Sequence, residues 1–224
     1  FIDRSRENFH LKKSLFTVNK HLTIVPCSEW MGDFVKESFL KDKHIQVIHN
    51  GVDLNTFKIL SGYKSCRVEQ DLFRIIAVSN VWSPYKGLFD IFKLRGMLSD
   101  DYEITMVGLT EEQLKILPTG IRGVTRTQNV EELVHLYNEA DVLINPTYAD
   151  TFPTVNLEAL ACGTPVITYH TGGSPEAVDA RTGVVVEQGN VDMLAEVIRR
   201  MKAQPLFSVD CRKRAEECFD KDCL

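Results

Sequence analysis

What this chain lacks narrows its identity first. Its six cysteines, Cys27, Cys66, Cys162, Cys211, Cys218 and Cys223, form no Cys-x-x-Cys pair, and no Cys/His spacing fits a tetrahedral zinc site. A zinc-held or disulfide-stapled module is therefore excluded. The thiols are expected to be reduced, as in a cytoplasmic protein. No apolar run approaches the roughly 18 residues that cross a bilayer, so an integral membrane segment is not expected. A secretory leader is not expected either. Cationic charge is not in surplus: 26 Lys and Arg against 31 Asp and Glu give a formal net charge of −5, which argues against a nucleic-acid partner. After the first β-rich run stands Val78-Ser79-Asn80-Val81-Trp82 rather than Gly-x-Gly-x-x-Gly, so a Rossmann-type oxidoreductase is excluded. Repeats and low-complexity segments are also missing.

What is present is a regular alternation. The chain has 224 residues and is 44% hydrophobic, enough for one full core and part of another. From Arg74 onward, apolar β-rich runs recur at residues 75–78, 104–107, 121–124, 142–144, 166–168 and 184–186. Helical spacing separates them. Leu88, Ile91, Phe92 and Leu98 share a face, as do Val130, Leu133, Val134 and Tyr137, and then Val191, Leu194, Val197, Ile198 and Met201. Asn129 and Asn190 stand at cap positions, and Ser174 precedes Pro175 in the same way. Uniformly apolar strands between helices predict an α/β fold, a doubly wound parallel six-stranded sheet, with ligands beyond the carboxyl ends of its strands.

The first 50 residues differ. Residues 22–26 read as a strand, Ser28 as a cap, and Trp30, Met31, Phe34 and Val35 as the buried stripe of a helix. A second short strand, 45–48, is closed by the turn signal Asn50-Gly51. One helix and two strands cannot bury themselves. The chain also opens at Phe1 without an initiator Met, so it is expected to be a piece of a longer protein. The tail, Ser208 to Leu224, reads as a charged helix with Arg212, Lys213, Arg214, Glu216 and Glu217 on its solvated side.

The most informative stretch is residues 142–165. An apolar strand enters a polar loop that ends in Pro153, and a helix starts at Thr154. Asp150 lies on the loop and Glu158 about a turn into the helix, eight positions apart. Free amides and the positive end of a helix dipole then stand beside two hydroxyl-binding acids, a pocket suited to a phosphate-bearing sugar.

Five places in matched order resemble one family. They are Ile48-His49-Asn50-Gly51-Val52-Asp53 followed by Phe57; Lys86-Gly87; the run from Leu133 to Pro146 with Tyr137, Ala140 and Asp141; Asp150 to Glu158; and Gly163-Thr164-Pro165-Val166 with Gly172-Gly173-Ser174-Pro175-Glu176. Together they resemble the donor-binding half of the retaining, two-domain GT-B glycosyltransferases of family four. The resemblance implies that residues 1–50 are a remnant of the N-terminal acceptor-binding domain and hinge. It further implies that 51–73 are a connector, 74–206 the Rossmann-like nucleotide-sugar domain, and 207–224 a truncated C-terminal helix.

It also implies the site. Lys86 and Asp150 would be catalytic, and the donor would be held by Lys86, Gly87, Arg126, Thr127, Asp150, Thr151, Phe152, Pro153, Thr154, Val155 and Glu158. Thr154 and Val155 would offer amides to the diphosphate, Glu158 would take the ribose hydroxyls, and Arg126 and Thr127 would lie by the base. Each residue has a plainer alternative: a solvated loop lysine, an ordinary first helical turn, a surface glutamate, an Asx turn at Asp150. Two departures stand out. Asp150 replaces the family's usual Glu, and Asn80-Val81 stand where Gly-Arg is common. No cofactor and no metal are expected, because Lys86 and helix-start amides would meet the leaving diphosphate. The implied substrate is a nucleotide-diphosphate sugar. The acceptor would be a glycan or lipid-linked hydroxyl, met through the absent N-terminal domain in polysaccharide biosynthesis. The implied location is cytoplasmic, with room for peripheral docking at the inner face of a membrane. A nucleotide-sugar epimerase of the same fold and a non-catalytic nucleotide-sugar module are the alternatives.

Overall fold

The computed structural model describes residues 3–63 and 72–223; Cys66 and part of the connector lie outside them. The N-terminal segment comprises α1 (Ser5–Thr17), β1 (Thr23–Ile24), α2 (Glu29–Lys36) and β2 (His44–Ile45), with β1 parallel to β2. The main body follows as β3 (Phe73–Val78), α3 (Leu88–Arg95), β4 (Tyr102–Val107), α4 (Glu111–Leu114), β5 (Ile121–Val124), α5 (Val130–Glu139) and β6 (Val142–Asn145). It continues with α6 (Thr154–Ala161), β7 (Val166–Tyr169), β8 (Gly183–Val186), α7 (Val191–Ala203) and α8 (Ser208–Cys218). Short 3-10 turns cover Pro84–Lys86 and Ser174–Ala177.

The six strands are all parallel, in the order β5-β4-β3-β6-β7-β8. This is the expected doubly wound sheet. Chain direction across it reverses between β3 and β6, where Ile75 pairs with Val142. Helices cover both faces because the strands are apolar on both. In β3, Ile75 and Ala77 point into a core completed by α3 and α7, whereas Ile76 points into one completed by α5, α6 and α8. Asn129 accepts from Glu132 N and Asn190 from Met193 N, as their cap positions predict. Ser174 does not cap: its hydroxyl is buried with no partner among the described residues, and the 3-10 turn has no side-chain cap.

Three other expectations need correction. On α2, Trp30 is 38% and Phe34 55% exposed, their rings packed edge-to-face on each other at 4.6 Å; the buried positions are Gly32 and the capping Ser28. Asn50-Gly51 makes no hairpin turn, since Val52 instead bridges in parallel to Asp220. Finally, the charged side of α8 is solvated only in part: Lys213, Glu216 and Glu217 are exposed as expected, whereas Arg212 and Arg214 turn inward. Arg212 donates to the carbonyls of Leu54, Phe57 and Ala161, and Arg214 to those of Glu176 and Ala177. Cys211, Ala215 and the following Phe219 complete the core over α6, burial of the ring contributing about 1.5–3 kcal/mol. The last helix thus clasps the hinge to the main sheet.

Candidate functional site

Parallel strands leave their carboxyl ends open, and the chain reversal between β3 and β6 parts their following loops into a crevice. There the structure has a cleft of about 330 Å³ whose lining includes Ser79, Val81, Lys86, Asp150, Phe152 and Thr154. Asn80, Asn145, Pro153 and Val155 also line it.

Lys86 ends the 3-10 turn after β3, and its Nζ lies 2.7 Å from Asp150 Oδ2. The pair is half-sheltered, with side chains 35% and 20% exposed. Gly87 makes the approach possible. It holds a left-handed φ of 74°, and a Cβ there would run into the carbonyl of Pro146 at the root of the opposing loop.

The loop from Pro146 to Pro153 is fastened along its length. Tyr148 N donates to Tyr85 O (2.8 Å), Gly173 N to Thr151 O (3.1 Å) and Asn50 Nδ2 to Phe152 O (3.1 Å). The loop delivers the chain into α6 at Pro153. No side chain caps α6 and no acid stands in its first turn. The N–H groups of Thr154 and Val155 have no partner among the described residues, so the helix presents free donors and its positive dipole end at the cleft.

Glu158 sits one turn on, behind the cleft lining rather than in it. Its carboxylate accepts from Tyr137 Oη at 2.8 Å. Burial pushes the carboxyl up from its ordinary value, and hydrogen bonds from Tyr137 and Thr154 pull it part of the way back. Burial, with the neighbouring Glu158 charge, pushes the Tyr137 phenol up strongly.

The remaining expected residues fall as follows. Arg126 and Thr127 line a second hollow of about 370 Å³ that shares Val78, Ser79 and Asn80 with the first. Thr151 is exposed and outside the cleft lining. Val81, where an arginine would bring a second cation, is 70% exposed on the rim. Trp82 is buried instead, its Nε1 on Val107 O at 2.8 Å. A further hollow of about 380 Å³, around Phe73, Gly163, Met201 and Phe207, opens at the amino edge of the sheet, away from the strand ends where such folds bind ligands. Among the described residues no three His, Cys, Asp or Glu side chains are placed to hold a metal ion. The one Asp-x-Asp spacing, Asp220-Lys221-Asp222, lies on an exposed turn with Lys221 paired to Asp53 at 2.7 Å. No helix among the described residues is long and apolar enough to cross a membrane.

The profile of the glycosyl transferases group 1 matches residues 68–218, two thirds of the sequence. The chain belongs to that family. It is 26% identical over 226 residues to a D-inositol 3-phosphate glycosyltransferase of Streptomyces avermitilis, covering 89% of this chain and 48% of that one. To the corresponding protein of Saccharomonospora viridis it is 39% identical over 105 residues, 43% of this chain and 24% of the relative. Its fold matches solved GT-B structures. Sucrose-phosphate synthase from Thermosynechococcus elongatus superposes with a TM-score of 0.81 at 19% identity, over 99% of this chain and 60% of that one. Anabaena HepE in complex with UDP and glucose gives 0.77 at 20%, over 96% and 64%. The chain thus spans about half the length of the Streptomyces avermitilis relative.

Proposed function

We propose that this chain is the donor-binding part of a retaining hexosyltransferase of family four that takes a nucleotide-diphosphate sugar. The observation that carries the reading is the cleft at the chain reversal, where one ammonium group, the uncapped amides of α6 and one carboxylate face a single space. A diphosphate would lie between Lys86 and the Thr154 and Val155 amides, with the nucleoside toward Arg126 and Thr127 and the ribose toward Glu158. The bound donors of the Anabaena neighbour are in keeping with such a ligand.

In transfer, the sugar–phosphate bond breaks and negative charge grows on the leaving diphosphate. Preorganised donors stabilise that charge by about 3–4 kcal/mol each, which makes a metal unnecessary. Asp150 would face the sugar on the side where positive charge develops. The acceptor hydroxyl, on a glycan or lipid-linked chain, would be brought by an N-terminal half to which residues 1–50 belong. By this reading residues 1–224 bind donor yet do not turn it over alone, and the whole protein works in the cytoplasm or against the inner membrane face.

A specific observation favours a second reading. Lys86 is already neutralised by Asp150, as would suit a module that binds donor without transferring it. Asp150→Asn decides between them in the complete protein. The transferase reading predicts that the nucleoside diphosphate binds about threefold more tightly, because Lys86 is released. It also predicts that turnover falls at least a hundredfold. A complete protein with no transferase activity before the substitution supports the binding module.

A further inference from the structure

Glu176 lies outside the cleft, on the 3-10 turn after β7, yet its contacts run to the far end of the chain. Its side chain is 21% exposed. It accepts from the first two amides of α2, Glu29 N at 2.9 Å and Trp30 N at 3.0 Å, and from His49 Nε2 at 2.9 Å. Capping alone would use the two amides. The third partner leads to the site.

The His49 ring lies flat on Phe152, with centroids 4.7 Å apart and planes at 21°, and it meets Phe219 edge-on at 6.0 Å. The next residue, Asn50, holds the Phe152 carbonyl. Phe152 is 2% exposed, between Asp150 and the start of α6. The loop that carries Glu176 grips the same segment from the other side. Gly173 N binds Thr151 O, and Gly172 sits so close to the Asp150 carbonyl that no Cβ would fit.

We infer that Glu176 is a positioning residue for the donor site. By fixing His49 on Phe152 it sets where Asp150 and the first amides of α6 stand relative to Lys86. It also ties that setting to the N-terminal segment through α2. The inference rests on the donor-binding reading above.

The test is a double-mutant cycle on this chain, using whichever of UDP, GDP and ADP the unmodified chain binds most tightly. Glu176→Ala weakens nucleotide binding by about three- to thirtyfold, and the same change made in a His49→Ala background has little further effect. Glu176→Gln, which keeps an acceptor, restores most of the affinity and guards against a misfolded alanine variant. A helix cap with no tie to the site gives another pattern: a lower melting temperature with unchanged dissociation constant, or losses that simply add. Either result overturns the inference and leaves the donor site standing. No binding of any of the three nucleotides by the unmodified chain overturns both.

Discussion

Gly172→Ala is expected to destabilise the chain by about 3 kcal/mol or more and to remove donor binding with it. Gly172 has φ 50°, in the left-handed region, and a Cβ there collides with the carbonyl oxygen of Asp150. That oxygen cannot step aside cheaply. Its loop is pinned by Tyr148 N on Tyr85, Gly173 N on Thr151 and Asn50 on Phe152, so relief of the clash breaks several bonds at once. An internal control separates strain of φ from collision. Gly62 has φ 89° and no atom of the described residues within 4 Å of the added carbon, so Gly62→Ala costs only about 1 kcal/mol. Chemical denaturation of both variants checks the difference. Equal losses would mean that the close fit of Gly172 against the donor loop has no energetic weight.

Glu158→Gln is expected to trade binding for stability. The folded carboxyl is raised above its unfolded value, chiefly by burial. Ionised Glu158 therefore opposes folding: stability falls as pH rises from the unfolded value through the folded one, and the full penalty applies above it. Glutamine removes the charge and can still accept from Tyr137, so at neutral pH the variant gains of order 1 kcal/mol. The gain fades below the ordinary carboxylate range, where wild-type Glu158 is already protonated. Binding moves oppositely. A carboxylate holding two ribose hydroxyls exceeds an amide by enough to lose about ten- to a hundredfold in affinity. Melting curves across pH 4–8 and a binding titration check both halves. A variant less stable at pH 7, or one that binds donor normally, contradicts the assignment.

The main sheet was legible because its signal is local. Apolar runs such as 75–78 and 142–144 lie within observed strands, and Asn129 and Asn190 cap as expected. The cleft was legible for the same reason, since strand, loop and helix follow one another from Val142 to Ala161. What escaped is non-local. The helix α1 has no buried residue, and its ring contact, Phe9 against Phe39 at 5.4 Å, joins it to a distant segment. Trp30 and Phe34 read as core, yet they stay 38% and 55% exposed. Arg212 has the look of a solvated charge, but its three carbonyl partners come from chain segments 51–158 residues away. Glu158 belongs with Tyr137 on another helix, and Glu176 with His49 across 127 positions. No spacing rule reaches that far.

The central claim is that the amides of α6 and Lys86 receive a sugar-linked diphosphate. Thermal unfolding of this chain with UDP-, GDP- and ADP-sugars, repeated for Lys86→Ala, tests it most directly. One of the three should raise apparent stability by about 2.7 kcal/mol at a hundredfold excess over its dissociation constant, and the lysine variant should lose nearly all of that gain. An unmoved melting temperature with every donor at millimolar concentration, or a full shift retained without Lys86, would contradict it.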